Sequence, residues 1–272
     1  MSNVSEVLRD KKFVFNKQFG QNFITDNNLL DAIVADSWVT ADDVVVEIGT
    51  GAGTLTKAIS KVAKKVISFE IDRNLKDILD VTLSGVDNVE VIFRDIMKVT
   101  DSELKELVGA NYKVVANLPY YITTPIIMRF LEGDFKPQSL TIMVQKEVAE
   151  RLTAKAGTSD YGAITAVVEL YANAKITRIV GKNNFYPVPK VDSSVIRLDI
   201  CDNKYDCDKE KVKQIIKAAF AMRRKTLVNN LMALGLSREV IEKTLQNLDM
   251  DVRIRGEVLN LQNFMDLAKI LL

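Results

Sequence analysis

Histidine is absent from all 272 residues. Its absence removes hydrolases that work through an imidazole base and every histidine-ligated metal site, so no metal is expected. Cysteine is nearly absent as well. Cys201 and Cys207 lie in the polar, acid-rich stretch from Asp199 to Glu210, too few for a disulfide framework or a four-ligand zinc site, and both read as free thiols. Net charge is missing too: 37 Lys plus Arg against 36 Asp plus Glu leave +1, so only local basic clusters can argue for a polyanionic partner. No segment approaches the roughly 18 consecutive apolar residues needed to span a bilayer. Met1 to Asp10 is polar, without the apolar core of a signal peptide, so a cytoplasmic protein with no membrane segment is expected. The 12 Gly and 5 Pro are too few for a low-complexity chain.

What is present is the composition of a folded protein, with 47% hydrophobic and 27% charged residues. Asp43 to Ile48 (DVVVEI) is a β-branched run ending at glycines, and Leu55 to Val62 carries helical spacing, so the chain opens an α/β unit there. Similar runs recur at Lys65 to Phe69, Val89 to Phe93, Tyr112 to Ala116 and Leu140 to Val144, mostly with helix-like stretches between them. This predicts an α/β fold with a doubly wound, mainly parallel sheet. Ala166 to Ala172 and Ala174 to Val180 read as adjoining strands and Ser193 to Ile200 as another, so the sheet is expected to end in an antiparallel hairpin. Beyond the acidic linker, Lys209 to Ala221, Leu227 to Leu234, Arg238 to Leu245 and Gln262 to Leu271 have helical spacing without strand signals. The expected organisation is a main domain over 1–200 and a small all-helical domain over 205–272.

The glycine loop reads Glu47-Ile-Gly49-Thr-Gly51-Ala-Gly53-Thr54-Leu55. Missing side chains between a strand and a helix let the backbone approach a nucleotide-type ligand closely. The dinucleotide fingerprint needs a third glycine at position 54, where threonine stands, which disfavours NAD. Glu70 stands 19 residues after Gly51, at the end of the next strand, where a carboxylate accepts both ribose hydroxyls. Asp95 follows the Val89 to Phe93 strand and is suited to an adenine amine. Taken singly, each carboxylate is as well explained as a helix cap or turn residue. Asp72 is expected to be solvated.

Asn117-Leu118-Pro119-Tyr120-Tyr121 follows the next strand. An aromatic amine is a poor nucleophile because its lone pair is delocalised into the ring. Two acceptors that hold both amine hydrogens favour the pyramidal nitrogen that can attack. The Asn117 side-chain oxygen and the Leu118 carbonyl can supply them. Pro119 stiffens the turn, and Tyr120 offers a ring to a base drawn out of its stack.

These residues together resemble the ribosomal RNA adenine dimethyltransferase family, and within it the KsgA-type small-subunit branch. The likeness covers nearly the whole chain. It starts at Lys17-Gln-Phe-Gly-Gln-Asn22-Phe-Ile24, similar to the family's cofactor-closing segment, and runs through EIGTGAGTLT, Glu70, Asp95 and NLPYY. It implies a Rossmann-like class I methyltransferase domain that uses S-adenosylmethionine, with Asn22, Ile24, Gly49, Gly51, Glu70, Asp95 and Asn117 at its cofactor positions. It also implies that Phe185, in Asn184-Phe185-Tyr-Pro187-Val-Pro189-Lys-Val-Asp192-Ser193-Ser194, faces the flipped adenine opposite Tyr120. Tyr121 departs mildly from the pattern, since asparagine is common there in relatives.

In the tail, Ala219-Phe220-Ala-Met-Arg223-Arg224-Lys225-Thr226-Leu227-Val-Asn229-Asn230-Leu231 is similar to the small-subunit branch, where Arg223, Arg224 and Lys225 would contact RNA backbone. Two other basic groups, Lys11 with Lys12 and Lys17, and Arg253 with Arg255, read more simply as solvated faces. The resemblance implies a 16S rRNA substrate within the small ribosomal subunit or its precursor, double methylation of two adjacent adenines, and a monomer. Three rivals stand beside it. A large-subunit (23S) dimethyltransferase conferring macrolide resistance is opposed by the Arg223 to Lys225 motif. An assembly factor with secondary methylation is opposed by the intact catalytic constellation. An NAD-dependent oxidoreductase leaves NLPYY without a task.

Overall fold

The computed structural model describes residues 7–9, 11, 13, 21–201 and 204–272. Lys12 and the Lys17 to Gly20 part of the N-terminal motif lie outside the described residues. The chain forms two compact units, one of Met1–Ala149 with Lys175–Ile200 and the other of Glu150–Ala174 with Cys201–Leu272.

The strands are β1 (Phe23–Ile24), β2 (Val44–Ile48), β3 (Lys65–Phe69), β4 (Val89–Ile92), β5 (Lys113–Asn117), β6 (Ser139–Gln145), β7 (Ala172–Val180), β8 (Phe185–Tyr186) and β9 (Ser193–Ile200). Seven of them make one sheet in the order β4-β3-β2-β5-β6-β9-β7. From β4 to β6 neighbours are parallel, with Val46 beside both Ile67 and Val114 and Val114 beside Leu140. β9 runs antiparallel to β6, pairing Ile196 with Ile142. Val45, Val46, Val66, Ile67, Val114 and Val115 are fully buried, as the near-continuous apolar runs of a parallel sheet covered on both faces require. Between the strands lie α1 (Asn27–Ser37), α2 (Thr54–Ser60), α3 (Lys76–Thr82), α4 (Asp101–Val108), α5 (Thr123–Glu132) and α6 (Lys146–Leu152).

This order places the site. β2, β3 and β4 are laid down in one direction and β5 and β6 in the other, so winding reverses between the neighbours β2 and β5. Helix connections leave that point open at the carboxyl ends of the strands, where open α/β sheets bind ligands. The short pair β1 and β8 joins Ile24 to Phe185 and Phe23 to Tyr186, antiparallel.

The second unit contains α7 (Ala163–Tyr171), α8 (Lys209–Ala219), α9 (Leu227–Leu231), α10 (Arg238–Asn247) and α11 (Leu261–Leu271). Asp208, Thr226, Ser237 and Asn260 cap the last four of these, each accepting a bond from a first-turn backbone N–H. Tyr161 packs edge-on against Phe220 and Phe220 tilted against Phe264, with ring centroids 5.8 and 6.0 Å apart. Among the described residues no helix is long and apolar enough to cross a membrane.

One expected strand is overturned. Ala166 to Tyr171 belongs to the helix α7, which opens at Ala163 after Gly162, where the Thr165 hydroxyl accepts from the Gly162 N–H. The β-branched pair Val167-Val168 suggested a strand, but a short apolar run buried on several sides has no period that separates strand from helix. The sheet therefore ends at β9 and β7, with one strand fewer at that edge than the sequence suggested.

Candidate active site

β2 ends at Ile48, and the chain turns into α2 through Gly49, Gly51 and Gly53, with φ of +79°, +54° and +79°. Such angles favour glycine. Space matters equally at Gly51, where an added Cβ would stand 2.9 Å from the Phe23 ring. At the end of β3 the Glu70 carboxylate ties this loop down. Its Oε2 accepts from the Gly51 N–H at 2.8 Å, and its Oε1 accepts from those of Ile71 and Asp72 at 2.8 and 2.9 Å. Burial raises the pKa of Glu70, and the three donors oppose that rise.

Asp95 caps a 3-10 turn, its Oδ1 accepting from the Met97 N–H at 2.9 Å, while the same residue borders the cavity. The cap and the ligand-facing position are thus one geometry rather than alternatives. Asp72 is a correction: it is buried, accepting from the Gln21 side-chain amide at 2.7 Å and from Asn74, and so anchors the N-terminal segment. A polar turn residue gave no hint of a partner 51 positions away.

Asn117 is the last residue of β5. Its Nδ2 donates to the Asn22 carbonyl at 3.1 Å, which turns Oδ1 away as the side chain's acceptor. The Leu118 N–H donates to the Met143 carbonyl at 3.2 Å and holds the turn. The Tyr120 hydroxyl lies 3.2 Å from Ser193 Oγ on β9, and Phe185 is 3% exposed, seated by its pairing with Ile24. Asn22, Ile24, Gly49, Gly51, Glu70, Asp95, Asn117, Leu118, Tyr120 and Phe185 all line one cavity. Arg223, Arg224 and Lys225 are not among its walls. They sit exposed in the turn between α8 and α9, where the Arg223 guanidinium donates to the Ser159 carbonyl.

Glu47, read only as part of the glycine-loop sequence, is fully buried. One oxygen accepts from the Thr56 and Ser68 hydroxyls at 2.6 Å each, and among the described residues Oε1 has no partner. Burial pushes its pKa from near 4.5 up to about 8. The folded state therefore holds this proton more tightly than the unfolded chain, and that stabilisation is full below pH 4.5 and lost as pH rises through about 8. Glu47→Gln is expected to flatten the loss: between pH 5 and 8 the melting temperature of the natural protein should fall relative to the variant. Parallel melting curves across that range would refute it.

Two further residues act at a distance that sequence does not show. Arg129, on α5, donates to the Ile96 carbonyl at 3.3 Å, to the Val99 carbonyl at 2.5 Å and to Asp101 at 3.0 Å, so the loop carrying Asp95 is fastened to the helix that follows NLPYY. Asn230, in the basic-tail motif, is buried and donates to the Ala219 and Met222 carbonyls at 2.7 and 3.2 Å, holding the turn that presents Arg224 and Lys225. Among the described residues no group of three or more Cys, Asp or Glu is arranged to hold a metal ion.

The acceptors and the close backbone fit a nucleoside-type ligand: a buried carboxylate at Glu70, a second at Asp95, and Gly49 and Gly51 in the same lining. Comparison with known proteins points the same way. Residues 12–271 match the model of the ribosomal RNA adenine dimethylase family. A protein of Clostridioides difficile named ribosomal RNA small subunit methyltransferase A is 45% identical over 98% of this chain and 94% of its own. The crystal structure of a dimethyladenosine transferase from Plasmodium falciparum superposes with a TM-score of 0.77 at 26% identity, covering 90% of this chain and 95% of that one. The 23S rRNA methyltransferase ErmE shares the fold, with a TM-score of 0.71 at 24% identity over 92% of this chain and 99% of its own. With a glycine cradle, two strand-end carboxylates and NLPYY around one cavity, and with the match running almost end to end, this chain belongs to the ribosomal RNA adenine dimethylase family.

Proposed function

We propose that this protein transfers methyl groups from S-adenosylmethionine to the N6 amine of two adjacent adenines in a 3′-terminal hairpin of 16S rRNA, in the small subunit or its precursor, as part of subunit biogenesis. The observation that carries the proposal is the Asn117 amide in the cavity lining, whose Nδ2 is spent on the Asn22 carbonyl and whose Oδ1 is left as its acceptor. When bound, S-adenosylmethionine supplies an electrophilic methyl group on sulfonium sulfur. Glu70 would hold its ribose, Asp95 its adenine amine, and Gly49 and Gly51 its approach, with Asn22 and Ile24 over it.

Asn117 Oδ1 and the Leu118 carbonyl would take the two hydrogens of the target amine and favour its pyramidal form. Tyr120 and Phe185 would hold the extruded base between their rings. No side chain has to act as a base before transfer, because the amine proton becomes strongly acidic only once the methyl group has arrived. A singly methylated amine keeps one hydrogen and its lone pair, so the same acceptors serve a second transfer.

We read 1–200 as the methyltransferase domain and 205–272 as the helical RNA-binding domain of a monomer. Arg223, Arg224 and Lys225 would add phosphate affinity without reading sequence. Replacing Arg224 and Lys225 together by alanine should weaken binding to ribosomal subunits and lower the slope of log affinity against log salt by about one for each phosphate no longer neutralised. An unchanged slope in a salt titration would remove them from the interface.

The test of the whole reading is incubation with radiolabelled cofactor and undermethylated small or large subunits, followed by nucleoside analysis. Dimethyladenosine in small-subunit RNA alone is expected. Label in large-subunit RNA alone overturns the substrate, and monomethyladenosine as the only end product overturns the double transfer.

A further inference from the structure

The two consecutive tyrosines after β5 meet different parts of the cavity. Tyr120 is half-buried and held from β9 through Ser193, on the side where Phe185 lies. Tyr121 lines the same cavity but is 57% exposed, and among the described residues its hydroxyl makes no hydrogen bond. Ile71, next to Glu70, also lines it and is 45% exposed. Ile48, Phe69, Leu75, Ile96 and Leu118, in the same lining, are buried.

Two large side chains left open to water beside a largely buried apolar wall are surfaces that a bound group would cover. Tyr121 shares the cavity lining with Glu70, Ile71 and Asp95. Partial burial, then the charges of Asp95 and Glu70, hold its phenol above the ordinary tyrosine range. Those carboxylates end β4 and β3, on the far side of the sheet's reversal from Ser193.

We propose that Tyr121, with Ile71, covers the adenosyl half of the cofactor and sets how tightly both the cofactor and its demethylated product are held. The proposal rests on the cofactor reading above and extends it to a residue that the motif does not require. Tyr120 then serves the substrate base and Tyr121 the cofactor, so one turn divides its two rings between the two reactants. The ring supplies the contact.

The test is calorimetric titration of the full-length protein with S-adenosylhomocysteine and, separately, with adenosine, for the natural chain, Tyr121→Ala and Tyr121→Phe. Tyr121→Ala should weaken both ligands about tenfold, and Tyr121→Phe less than about threefold, because an aromatic face rather than a hydroxyl makes the contact. The KM for ribosomal subunits should move less than about threefold in either variant. Unchanged ligand affinity in Tyr121→Ala, or a loss confined to the KM for subunits, overturns the proposal and assigns the ring to RNA. A natural chain that takes up neither ligand fails earlier, and overturns the cofactor reading itself. Melting curves of both variants report folding separately from binding.

Discussion

Asn117→Ala should lower turnover by about 10²- to 10³-fold, the size of effect seen when one preorganised polar contact to a reacting group is deleted. The same variant should bind cofactor within several-fold of the natural affinity. The reason is that the Asn117 amide is already oriented before substrate arrives: its Nδ2 is spent on the Asn22 carbonyl at 3.1 Å, and the backbone behind it is held by the Leu118 N–H on Met143. Alanine removes the acceptor without disturbing β5, which is paired to β2 and β6 on its two sides. Asn117→Asp separates orientation from acceptance. It keeps an acceptor oxygen but sets a second one against the Asn22 carbonyl, so it too should be slow, although an acceptor is present. Single-turnover rates on undermethylated subunits decide this. A rate for Asn117→Ala above about a tenth of the natural one would mean that the amine is not activated here.

Glu70→Ala should abolish measurable cofactor binding, with affinity reduced at least about 100-fold, the scale of one or two hydrogen bonds to a charged acceptor. Glu70 has two tasks. Its carboxylate would face the ribose, and it already accepts the N–H groups of Gly51, Ile71 and Asp72. Removing it leaves two part-buried donors and one buried donor without an acceptor, so the glycine loop loses the bond that fixes Gly51 at φ +54°. Glu70→Gln keeps one acceptor oxygen and places an amide against N–H donors, so it should fall between the two. Calorimetry measures both, and natural affinity in Glu70→Ala would remove this residue from the site. Methylation should be restored in neither variant at cofactor levels that saturate the natural enzyme.

These outcomes draw on features of unequal legibility. The apolar β-branched runs after Asp43, Lys65, Tyr112 and Leu140 were readable because a strand buried on both faces has no solvent side, and so little polar alternation to obscure it. The glycine spacing and NLPYY were readable because positive φ and a stiffened turn restrict which residues fit. α7 was not: within its nine residues the β-branched valines and the helical burial pattern conflict, and packing in the second unit decides between them.

By itself, then, the chain order determined the parallel strands, the order of the site residues along them, and the chemistry available without histidine. Local sequence suffices for these because each depends on the conformational limits of a few adjacent residues. Only tertiary structure decided that the Asn117 amide spends its Nδ2 on the Asn22 carbonyl, that Asp72 is buried and bonded to Gln21, that Arg129 fastens the Asp95 loop, and that Glu150–Ala174 packs with the helical unit. Each of these joins residues tens of positions apart, and a hydrogen bond or a buried charge across such a gap leaves no period or motif in either partner.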